Sequence, residues 1–99
     1  MHLSKNTKLT SEELTEAVLL DATIYGPDAE EIGSVSQVQG SGPGANVVVD
    51  VGGFLGIGAK PVAVSVSELD FMRDDVGGIL AFTTWTEEEL KEMPEYRES

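Results

Sequence analysis

Cysteine is absent from the 99-residue sequence. That excludes disulfides, thiolate nucleophiles, zinc ribbons and iron–sulfur clusters together. A small domain without such staples folds on packing, or on packing helped by oligomerisation. Histidine occurs once, as His2, in a polar terminus that gives a Ser-His-Asp arrangement no support. Basic residues are scarce and scattered: Lys5, Lys8, Lys60, Arg73, Lys91 and Arg97 stand against 18 acidic residues, for a net charge of −12. Phosphate backbones and anionic lipid require clustered Lys and Arg, so neither nucleic acid nor a lipid surface is an expected partner. The acidity reads first as solubility through self-repulsion. No apolar run approaches the ~20 residues that span a bilayer, and Met1–Lys5 opens no apolar signal region. The expectation is a cytoplasmic protein without membrane insertion.

What the sequence does contain is short β-branched runs separated by glycine. Residues 1–17 read as an N-terminal extension, polar and frayed up to residue 10. A capping-box pattern, Thr10-Ser11-Glu12-Glu13, then predicts a short helix over roughly 11–17. In Leu20–Tyr25, Leu20, Ala22 and Ile24 share one strand face. Gly26-Pro27-Asp28 is turn chemistry. A second strand spans Glu31–Gln39. Its apolar positions Ile32, Val35 and Val38 lie three apart, and Gly33 with the bracketing turns favours a strand carrying an irregularity. Val47–Val51 is nearly continuous in apolar character, which implies burial on both faces or a covered outer face. Val62, Val64 and Val66 alternate inward. Met72–Gly78 reads as a charged turn, and Ile79–Trp85 as a last strand. Thr86-Glu87-Glu88-Glu89 is a second capping box, opening a helix that Pro94 ends. Strands at roughly ten-residue spacing with no room for a crossover helix predict a mainly all-β, mainly antiparallel barrel or sandwich with a short C-terminal helix.

The glycine-rich stretch Gly52–Gly58 is no nucleotide loop. The Gly53-to-Gly58 spacing is followed by Ala59 before Lys60, a hydroxyl is missing, and the loop leads into a strand. Its apolar members Phe54, Leu55 and Ile57 form a candidate interaction surface, because exposed apolar clusters mark interaction sites. They could equally fold back to plug the end of a barrel. Trp85 reads first as an aromatic packed under the helix and second as an interface anchor. The carboxylates at Asp28, Glu30 and Glu31 and at Asp74 and Asp75 lack the spacing of a calcium loop and read as solvated turn residues. No catalytic, metal-binding or cofactor-binding residue is identified, and no cofactor is expected.

The stretch Val49-Asp50-Val51-Gly52-Gly53-Phe54-Leu55-Gly56-Ile57-Gly58, with Val47-Val48 before it and Val62-Ala63-Val64 after it, resembles the PRC-barrel family. Ala22–Asp28 and Glu31–Val35 resemble its opening hairpin, and Thr86–Tyr96 resembles its closing helix. The resemblance covers residues 18–96 and leaves 97–99 as a tail. Ser65 stands where many members carry proline, and the Gly40–Gly44 turn is longer than usual. The resemblance implies a small, highly twisted antiparallel barrel of about five to six strands. It implies a stand-alone interaction or assembly module, not an enzyme. Members include the barrel of the photosynthetic reaction centre H subunit and the C-terminal domain of a ribosome maturation factor. The expected partner is a protein, with a homodimer as the leading form. The alternative is a small-molecule or ion-binding barrel with carboxylates at its rim.

Overall fold

The computed structural model describes residues 7–52 and 59–96. Its centre is a run of three strands: β3 (Glu31–Gln39), β4 (Asn46–Val51) and β5 (Lys60–Ser65). β4 lies antiparallel between the other two, in unbroken register with β5, with Val49 opposite Val35 on one side and Val62 on the other. Val47, Val49 and Val51 face the core and are essentially solvent-free. Val48, on the opposite face, is also buried but lies outside the main cluster. The near-continuous apolar run therefore reports burial on both faces of β4.

β3 carries two register shifts, one opposite Ile24 and Tyr25 of the neighbouring strand and one between Val35 and Gln37. Each extra residue flips the alternation, which is why Ile32, Val35 and Val38 point inward at spacings of three. Gly33 sits between them. A Cβ there would lie 2.0 Å from the Asp50 carbonyl oxygen, so only glycine admits this approach of β3 to β4.

The remaining strands are short: β1 (Thr7–Lys8), β2 (Thr23–Tyr25), β6 (Asp70–Arg73) and β7 (Ile79–Phe82). The sheet has seven strands in the order β1-β6-β7-β2-β3-β4-β5. Five of the six pairings are antiparallel; β2 and β7 run parallel, with Tyr25 opposite Phe82 and their rings 5.7 Å apart. No crossover helix is needed, because the chain returns to β2 by way of the other strands. The expected five to six antiparallel strands thus become seven strands in a mixed sheet. The described sheet ends on β1 and β5, which do not pair with each other.

Three further expectations change. The polar start contributes β1, and Leu9 enters the core. Met72 and Arg73 belong to β6, not to the turn that follows; only Phe71 of that strand is deeply buried, so its pattern is mixed and charged. The predicted N-terminal helix is split into a 3-10 turn at Ser11–Glu13 and the single turn α1 (Glu16–Leu19). Leu20 closes α1 through its N–H to the Glu16 carbonyl and stays 40% exposed, because Asp21 at φ 70° breaks the alternation before β2. The C-terminal helix α2 (Glu87–Lys91) starts as expected: Thr86 Oγ1 accepts from the Glu89 N–H at 3.1 Å and Glu89 accepts from the Thr86 N–H at 2.9 Å. It seats Leu90 in the core against β4 and β5.

Candidate interaction surface

Of the four residues proposed from sequence, Phe54, Leu55 and Ile57 lie outside the described residues. The described ends of their connection are Val51 and Lys60, which pair with one another, so the glycine-rich stretch joins two adjacent antiparallel strands. Gly52, at φ 72°, sits under α2: a Cβ there would meet the Lys91 Cε at 2.7 Å. Lys91 in turn bridges Glu87 at 2.9 Å, and the Lys60 ammonium donates to the Lys91 carbonyl.

Trp85 is half-buried against the core cluster. Its indole N–H donates to Glu68 Oε1 at 3.1 Å, and its backbone N–H donates to Thr83 Oγ1 at 3.2 Å. Both polar groups are engaged within the chain, which fits the packing role better than that of an anchor awaiting a partner. Thr83 is the one polar side chain buried among the described residues, and no buried polar side-chain atom there lacks a hydrogen bond.

The acidic turns have local work. Asp74 Oδ1 accepts from the N–H groups of Val76 (3.0 Å) and Gly78 (2.7 Å), closing the β6–β7 turn. Glu30 accepts from the Asp28 N–H at 3.0 Å. No group of three metal-ligating side chains occurs among the described residues. No helix among them is long and apolar enough to cross a membrane.

The feature that sequence reasoning missed lies at the β5 end of the sheet. The Val66 N–H donates to the Ala45 carbonyl at 3.0 Å, which fixes the phase of the ladder. Val64 and Val62 exchange bonds with β4, so Pro61, Ala63 and Ser65 turn their backbone groups away from it. The Tyr96 N–H donates to the outward carbonyl of Pro61 at 2.7 Å, and the Gln39 amide donates to the Tyr96 hydroxyl. Pro61 and Gln39 occupy opposite corners of the outer face of β3, β4 and β5. The Tyr96 side chain therefore crosses that face diagonally, over the rung that carries Val48. A Tyr two residues after a helix-ending proline has no periodicity to mark it, so this contact is invisible in the sequence.

A concavity of about 270 Å³ lies between the N-terminal segment and β6. Leu9, Leu14, Pro43, Val66 and Phe71 line it, with Lys8 and Asp70 at the rim. Comparison with protein-family models and with curated proteins finds no match to this chain.

Proposed function

We propose that this chain is a non-enzymatic, PRC-barrel-like protein–protein interaction or assembly module that self-associates. One observation carries the reading: among the described residues a seven-stranded sheet packs on one buried apolar cluster and ends on two edges, β1 and β5. Leu9 and Phe71 from one end and Val62 and Val64 from the other belong to a single buried cluster. That shared cluster supports the barrel-like reading, although β1 and β5 do not join their ladders. Open sheet edges offer unpaired backbone groups to another chain. The apolar cluster Phe54, Leu55 and Ile57 adds a further candidate contact.

Light scattering at rising concentration tests self-association; a strict monomer at high micromolar concentration sinks it. Phe54→Asp with Leu55→Asp then locates it. A folded, dissociated double variant places the loop in the interface, and an unfolded one makes the loop a plug. The concavity beside Leu9 and Phe71 favours one other reading, a small-molecule site. Its volume falls just below the usual range for ligand pockets, ~300–1,000 Å³. A thermal-shift screen of metabolites and divalent cations decides it, since any ligand of the native state raises the transition temperature.

A further inference from the structure

We infer that the β5 edge is the docking surface for a second copy of this chain, and that the arm ending at Tyr96 is a strap competing for the same edge. The inference rests on the reading of the chain as a self-associating module.

The partner is argued from charge and geometry. Two copies of net charge −12 repel, so contact is most favourable where acids are absent. Pro61–Ser67 is an uncharged run on the edge strand and the turn after it. Of the rungs on the adjoining outer face, Gln39-Asn46-Ser65 and Gln37-Val48-Ala63 carry no charge, and Asp50 is the acid beside Ser34 and Pro61. Natural edge strands are commonly guarded by charge. Here the lysine at the start of β5 is turned to α2, where it bonds the Lys91 carbonyl.

The edge is also self-complementary. Antiparallel pairing about a two-fold axis at Ala63 sets Ala63 opposite its own copy, where the two exchange N–H and C=O groups. The same register places Ser65 of one copy opposite Pro61 of the other. The Ser65 N–H then donates to the Pro61 carbonyl. Proline's missing N–H costs one bond on each side and no more. That carbonyl is the group which now accepts the Tyr96 N–H. The strap and the second copy thus compete for one acceptor, and the Gln39 bond to the Tyr96 hydroxyl biases the contest toward the strap. When the binding-competent form is a minority, apparent affinity falls by its fraction. One short strand per copy makes a small contact, of the weak and transient class.

The test is sedimentation equilibrium of the full chain and four variants. Tyr96→Pro deletes both the N–H and the hydroxyl of the strap. Ala63→Pro deletes the outward donor of β5 without touching a bond to β4, and Ala63→Asp sets like charges face to face on the two-fold axis. Tyr96→Pro should tighten the dimer by about a hundredfold if the strap is engaged in roughly nine molecules of ten, because each of the two copies must release its own. Adding either Ala63 change to it should return a folded monomer, as judged by an unchanged far-ultraviolet spectrum. If Tyr96→Pro associates no more tightly than the parent, or if a folded Ala63 variant keeps the dimer, the inference is overturned. The fourth variant, Phe54→Asp with Leu55→Asp, separates the two levels. Dimerisation lost there but untouched by the Ala63 changes overturns the β5 interface and leaves the interaction module standing. Monomers throughout, at high micromolar concentration, overturn both.

Discussion

The two halves of the sheet are held together differently. β3, β4 and β5 are six to nine residues long and extensively laddered, and Val35, Val47, Val49, Val51 and Val62 are essentially solvent-free. β1, β6 and β7 are two to four residues long and depend on side-chain ties. Arg73 of β6 bonds Glu13 at 2.6 Å, Lys8 of β1 lies 3.7 Å from Asp70, and Asp74 closes the β6–β7 turn. The first half rests on burial and steric fit, which pH and salt barely touch. The second rests partly on exposed charges, which both attenuate. The expectation is a domain whose centre fails by overpacking and whose β1–β6 end loosens by protonation.

The largest effect should come from Gly33→Ala. The new Cβ meets backbone, the Asp50 carbonyl oxygen at 2.0 Å, so β3 and β4 must separate. A cost on the order of 3 kcal/mol or more is expected in urea unfolding, at the upper end for overpacked positions. The matched change in the other half is Gly77→Ala in the β6–β7 turn. A Cβ there meets nothing within 4 Å, and the φ of 89° alone costs about 1–2 kcal/mol. Equal losses at the two sites would erase the distinction between the halves.

The two capping boxes sharpen the comparison at smaller scale. Thr86 Oγ1 accepts from the Glu89 N–H, the full reciprocal arrangement, at the start of the helix that seats Leu90 over β4 and β5. At Thr10 the box is half formed. Glu13 accepts from the Thr10 N–H at 2.9 Å, while the Thr10 hydroxyl donates to the same carboxylate at 3.3 Å and caps no N–H. Thr86→Ala should therefore cost about 1 kcal/mol, the usual worth of a capping side chain. Thr10→Ala should cost visibly less in the same thermal melts. A reversed order would mean that the N-terminal segment is held by its cap rather than by Leu9.

These contrasts also explain what could be read from the sequence. The bounds of β3 were legible because turns bracket it, and the irregularity was legible because apolar residues three apart do not fit a flat strand. β4, its burial on both faces, and the α2 cap were legible for the same local reasons. β1 and β6 were not. Thr7-Lys8 has no pattern of its own, and Asp70-Phe71-Met72-Arg73 shows a single deeply buried residue among charges. Such strands exist because neighbours pair with them, which is information the local sequence does not hold. The proposed interaction surface was legible only as the apolar loop around Phe54. The β5 edge was hidden because its character depends on ladder phase, set by which carbonyl Val66 meets.

The smallest and most selective effect concerns Glu13. Its carboxyl is held below the ordinary glutamate range, first by the Thr10 N–H and then by Arg73 through hydrogen bond and charge. A carboxyl whose pKa is lower in the folded state stabilises that state fully above its unfolded value, about 4.3. The contribution is lost as pH falls from there through the lowered folded value. Glu13→Gln removes the charge and keeps the size. The gap in melting temperature between parent and variant should therefore be constant from neutrality down to about pH 5 and close as the solution becomes more acidic. It should also narrow with added salt, because both side chains are partly exposed. Gly33→Ala supplies the contrast, since a steric clash has no proton to gain and its deficit should hold across the same range. A Glu13 gap that persisted into acid would mean that the side chain acts there by packing, and the division of the sheet into a fitted half and a charged half would lose its main support.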